Sequence, residues 1–182
     1  NDNQFLIKGL VINNKFNVSK IKSIKLDYIN NNKIQNQINF KKDKKKSKIY
    51  GKSFDASKLI DEILKDDTDD KTSSIFKNIN SNFDIKIEKM YLDKITFVND
   101  LIGSVNFKKN KINKLNLKSI FQNNKKLVLS IHTNKNNEKI TTLFSDFPQP
   151  LIKRYKFIKG FESGVLDFYS IKKNNVSNSI LK

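Results

Sequence analysis

The chain has 182 residues, enough to bury a sizeable core, and sets 36 Lys and Arg against 18 Asp and Glu for a formal charge of +18. It has no cysteine, which excludes disulfide, zinc-thiolate and thiol-redox chemistry, and no apolar run long enough to span a bilayer. It does not begin with Met and shows no signal segment at its start, so it reads as a piece of something longer.

So large a positive charge invites a polyanion, because clustered cations release counterions from phosphate. Its makeup argues otherwise. Arg154 is the sole arginine, so the guanidinium forks that grip phosphate and guanine are missing, while Lys, Asn and Ile recur everywhere, loops included, as an AT-rich coding sequence would produce. Solvated lysines are the expectation and nucleic acid is disfavoured; a functional polyanion surface is the alternative.

In chain order, residues 1–54 read as strands. Phe5 to Ile12 is apolar enough for one, and Ile24, Leu26 and Tyr28 alternate with Lys25 and Asp27 as in a half-buried one. The triplet Asn30-Asn31-Asn32 turns the chain into strands over Ile34–Phe40 and Ile49–Phe54, whose connection carries the basic run 41–46, read as a solvated hairpin tip. At Asp55 the period changes. Ala56, Leu59, Ile60, Ile63 and Leu64 form one stripe of an amphipathic helix over 55–65, with Asp55 as its N-cap. Its acidic neighbours favour packing against the sheet over docking on a membrane, and the acidic loop 66–80 lacks the glycine and late glutamate of a calcium loop.

From Ser81 the period of two returns and persists to residue 145 as a meander of hairpins. A short helix follows over 146–158: Asp146 is placed to accept from its first turn, Pro148 and Pro150 fit that turn, and Leu151, Ile152 and Tyr155 share one side. Gly160 offers a left-handed exit, a strand is expected over 164–170 with Leu166 and Phe168 on one face, and 171–182 reads as a tail. The predicted fold is mainly β with two short helices, an antiparallel meander curled into an open half-barrel or groove, because two helices are too few to cover so many one-sided strands.

Catalytic constellations are hard to assemble. His132 is the single histidine and sits at a strand end beside Thr133; no nucleophile elbow, phosphate-cradling loop, H-E-x-x-H or dinucleotide fingerprint occurs, and five glycines leave little room for one. The paired carboxylates Asp61–Glu62 and Asp66–Asp67 lie where solvent keeps them ordinary. The reading is a protein that is not an enzyme and takes no cofactor or metal.

Three landmarks carry a likeness to a known family. Gly51, Phe54, Asp55, Ala56, Leu59 and Ile60 follow G-x-x-F-D-A-x-x-L-I; Tyr91, Leu92, Ile95, Phe97, Asn99, Asp100, Leu101 and Gly103 follow Y-L-x-x-I-x-F-x-N-D-L-x-G. Ser145, Asp146, Leu151 and Ile152, then Gly164 and Leu166, are similar to an S-D-x-x-x-x-L-L-R-x-L block with its G-G-x-L, although Lys153, Tyr155 and Ser163 replace Arg, Leu and the first Gly, and Phe147-Pro148 follows Ser-Asp. In this order they resemble the central region of the AsmA-like bacterial envelope proteins, of the YhdP and TamB type. The resemblance implies a periplasmic part of an inner-membrane-anchored protein, its anchor outside this segment, whose strands form a trough that accommodates or conducts phospholipid acyl chains between the inner and outer membranes. The expected partners are a phospholipid or other acyl-chain ligand and, at the ends of the full-length protein, the two membranes.

Alternation supplies an independent footing, since a curled sheet turns every second side chain inward and an apolar wall gains about 25 cal/mol per Å² removed from water. The inner face is predicted to carry Phe83, Ile85, Ile87, Phe97, Leu101, Val105, Phe107, Leu115, Leu117, Leu127, Leu129 and Ile131. A slip of one residue would exchange the faces. Other readings are a structural β-scaffold, in which the same face is an ordinary core, and a basic nucleic-acid-binding module.

Overall fold

The structure is a computed structural model and describes residues 3–14, 18–43, 46–65, 80–108, 111–155, 164–174 and 176–182. The acidic segment 66–79, Lys44 and Lys45 of the basic run, the Lys109–Asn110 turn, the 156–158 end of the second helix, Gly160 and Ser163 lie outside the described residues.

The strands are β1 (Gln4–Lys8), β2 (Val11–Ile12), β3 (Val18–Lys20), β4 (Ser23–Ile29), β5 (Gln35–Lys42), β6 (Ser47–Asp55), β7 (Asn82–Tyr91), β8 (Phe97–Lys108), β9 (Lys111–Phe121), β10 (Lys126–Thr133), β11 (Lys139–Ser145), β12 (Leu166–Lys173) and β13 (Val176–Leu181). Helix α1 (Ser57–Lys65) follows β6, and α2 (Gln149–Tyr155) follows β11. One sheet of 11 strands runs β1-β4-β5-β6-β7-β8-β9-β10-β11-β12-β13, with β2 and β3 pairing apart from it. The sheet does not close: β1 and β13 each have a neighbour on one side only, which makes it an open half-barrel or groove, mainly β with two short helices.

Three features differ from the expectations. The Phe5–Ile12 strand is divided, its first part in the large sheet and Val11–Ile12 outside it. The β6–β7 pair is parallel, and α1 lies in the connection between the two strands, where a hairpin would have made them antiparallel. The 171–182 tail is ordered as the end of β12 and all of β13, where Tyr169 pairs with Ile180 and Lys172 with Ser177.

Asparagines make the turns. In 30–34 and again in 134–138 an Asn carboxamide oxygen accepts from the backbone N–H groups two and four residues on, while Lys33 (φ 61°) and Asn137 (φ 58°) occupy the left-handed region. The same main-chain pattern joins β9 to β10 through Asn124 (φ 59°). Asn is among the few residues with a side chain that tolerates this conformation, so its abundance in the loops has a structural use.

Two apolar clusters lie on the same face of the sheet. Leu92, Val98, Phe121, Leu151 of α2 and Leu166 form a buried group at one end of the strands, joined by Ile60 of α1 and by Phe147, whose ring meets Phe121 edge-on at 5.6 Å. Both helices therefore pack against the sheet at that end. The second group, Val105, Phe107, Leu115 and Ile131 with Phe83 and Ile85 against it, consists of strand residues alone among the described residues.

Candidate apolar groove

Register aligns the interior of the sheet into a single transverse row. Ile7 pairs with Ile24, Ile24 with Phe40, Phe40 with Ile49, Ile49 with Ile85, and Ile85 with Gly103; Gly103 then pairs with Leu117, Leu117 with Leu129, Leu129 with Leu143, Leu143 with Phe168, and Phe168 with Leu181. Every strand of the large sheet contributes one member, and each is apolar or glycine. The inner members are half-buried, whereas the two ends are open, with Ile7 50% and Leu181 40% exposed.

Rows on either side of this one set its polarity. Phe83, Val105, Leu115 and Ile131 form a parallel row in the middle of the sheet, which continues through Thr141, Ser170 and Ser179. At that flank Ser170 exchanges hydrogen bonds of 3.0 Å with the hydroxyls of Ser177 and Ser179. The groove wall thus grades from hydrocarbon in the centre to hydroxyl near β13. Aromatic rings reinforce the centre, with Phe83 6.2 Å from Phe40 and 5.9 Å from Phe107.

All the side chains expected on the inner face share it except Phe97. Ile87, Leu101, Val105, Phe107, Leu115 and Ile131 are buried there; Phe83, Ile85, Leu117, Leu127 and Leu129 are half-buried. Phe97 pairs with Tyr91 on the opposite face, next to the fully buried Val98, and the Lys89 ammonium lies 3.7 Å from its ring centre. The physical reason is a bulge: Asp100 adopts φ 52°, and the β8–β9 register shifts between Asn99 and Ile102, so the alternation counted back from Leu101 arrives one residue out of phase.

Ile7, Ile24, Leu26, Ile38, Phe40 and Ile49 belong to the same face and were not assigned to it from the sequence. Their alternation was visible, but only the parallel β6–β7 junction shows that the N-terminal strands extend the same wall.

One polar node abuts this face. Asp55 accepts from the Ser57 N–H at 3.0 Å, as an N-cap of α1 should, and also from the carboxamide N–H groups of Asn30 at 2.7 Å and Asn32 at 2.9 Å. The buried Asn36 accepts from the Asp55 backbone N–H at 2.8 Å and donates to the Ile34 carbonyl at 2.9 Å. Burial pulls the Asp55 carboxyl up, yet the hydrogen bonds from Ser57, Asn32 and Asn30 outweigh it and hold the group below the ordinary carboxylate range. Tyr28 is pushed up by burial and by the nearby Asp55 charge. The node braces the β4–β5 turn against the start of the helix.

Asp146 does not cap α2. Its carboxylate accepts from the Lys126 N–H at 3.3 Å and so ties the start of β10, while the Ser145 hydroxyl accepts from the Phe147 N–H at 3.1 Å. His132 is exposed on the outer face, opposite Lys114 and Ile140. Among the described residues no helix is long and apolar enough to cross a membrane. The chain matches no protein-family model, no curated protein and no solved structure.

Proposed function

We propose that the chain is a non-enzymatic, periplasmic segment of an AsmA-like protein whose inner face accommodates acyl chains on their way between the inner and outer membranes. The observation that carries the reading is the row from Ile7 to Leu181: apolar on every strand, half-buried in its interior and open at both ends. A chain of methylenes laid along it gains about 0.8 kcal/mol per buried CH₂ without any fixed polar contact, which suits a ligand that must slide. The hydroxyls of Thr141, Ser177 and Ser179, the last two exposed, give a headgroup a polar flank.

A second reading rests on the six predicted lining residues that are buried: they support a structural scaffold whose apolar side chains are core. Mass spectrometry of organic extracts of the purified protein separates the two. Co-purifying phospholipid, lost in a Phe40→Ser/Ile49→Ser variant, supports the groove; a lipid-free protein that also fails to bind an apolar fluorescent probe leaves the scaffold.

A further inference from the structure

The outer face carries its own row in register. Lys25 of β4 pairs with Asn39, Asn39 with Tyr50, Tyr50 with Lys86, Lys86 with Ile102, and Ile102 with Lys118. The three lysines are exposed, and between them stand the exposed Tyr50 (43%) and Ile102 (50%). The row crosses five strand spacings, roughly 24 Å.

Beside it Lys41 and Lys48 are direct cross-strand partners, a like-charge pairing that opposes the fold. None of these lysines forms an ion pair among the described residues, although Asp84, which meets the Lys46 ammonium at 3.4 Å, stands opposite Lys48 on the same face. Compositional drift accounts for many lysines, but it does not account for three exposed cations in one row with an exposed tyrosine and isoleucine between them, a row flanked by the carboxylates of Asp27 and Glu88.

We propose that this outer face docks on an anionic phospholipid surface, a function separate from the groove and independent of it. Lysine stems reach past the curve of the sheet and set their ammonium groups among phosphates, while Tyr50 and Ile102 enter the headgroup boundary. A polynucleotide fits the row less well: it offers nothing to cover Ile102, and a lone tyrosine makes no stacking platform.

The test is co-sedimentation of the 182-residue chain with phosphatidylcholine vesicles, with and without phosphatidylglycerol. The chain should bind the anionic vesicles only. K25E/K86E/K118E should weaken that binding about a hundredfold, whereas the charge-matched K94E/K125E/K135E, placed in loops and turns, should weaken it less than about threefold. Ile102→Ser should lower the binding that survives at high salt. Equal losses in the two triple variants, or displacement of the vesicles by a single-stranded oligonucleotide at equal charge concentration, would overturn the proposal. Circular dichroism reports folding, and K25Q/K86Q/K118Q replaces the reversal should that variant not fold.

Discussion

Ile49 and Ile85 face each other across the parallel β6–β7 pair, and through them the apolar row of the N-terminal strands continues into the meander. The two strands are separated in sequence by α1 and are not joined by a hairpin, so nothing local in the sequence fixes their register; side-chain packing between them has to. Ile85→Ala should therefore lower stability by about 2 kcal/mol in urea unfolding, a loss typical of a truncated, partly buried aliphatic.

Gly103 sits where the row passes from Ile85 to Leu117, and a Cβ there would come 1.9 Å from the Asn116 carbonyl oxygen. That contact is with backbone, which cannot swing aside. Gly103→Ala should destabilise by about 3 kcal/mol, comparable to severe core overpacking. Gly164 supplies the contrast, since at φ 114° it has open space around its Cβ position. Gly164→Ala should therefore cost about 1 kcal/mol of backbone strain only. Denaturation midpoints of the two variants, measured side by side, check the ordering.

Asp55 links stability to pH. Its folded-state carboxyl titrates below the unfolded value, so the stabilisation it brings is present above the unfolded value and is lost as pH falls through the folded one. Asp55→Ala should remove about 1 to 2 kcal/mol at neutral pH, where the N-cap and the Asn30 and Asn32 contacts are intact. The gap between wild type and variant should narrow on acidification below the ordinary carboxylate range. A gap that stays constant down to the acid transition would contradict the assignment.

Asn30 and Asn134 occupy equivalent turn positions, and each also donates from its carboxamide to a carboxylate, Asn30 to Asp55 at 2.7 Å and Asn134 to Glu138 at 2.8 Å. Asn30→Ala should destabilise by about 2 kcal/mol in urea unfolding, the worth of one hydrogen bond to a charged acceptor. Combining Asn30→Ala with Asp55→Ala should be less than additive, because the two share a contact.

Alternation made much of this architecture legible. From Phe83 to Ile131 a period of two places side chains on the inner face until the Asp100 bulge, where a left-handed non-glycine residue leaves no sequence signature and Phe97 falls outside. The helix over α1 was visible because Asp55, Ala56 and Ile60 combine a cap with a stripe, and Ala56 and Ile60 do meet the core side. Asp146 had the same local appearance, yet the neighbouring Lys126 N–H captured its carboxylate, a tertiary contact that local sequence does not encode. The contribution of Ile7, Ile24 and Phe40 to the wall was hidden for a similar reason, as it depends on a pairing between strands separated by a helix. Read as composition, the loop asparagines looked idle; their positive φ angles and carboxamide hydrogen bonds show otherwise.

Photocrosslinking in living cells tests the groove most directly. A photoreactive phenylalanine analogue at Phe83, on the inner face, should capture phospholipid on irradiation, and the same group at Tyr169, on the outer face away from the lysine row, should not. Absence of lipid at Phe83, or equal capture at both positions, would contradict an acyl-chain path along the inner wall.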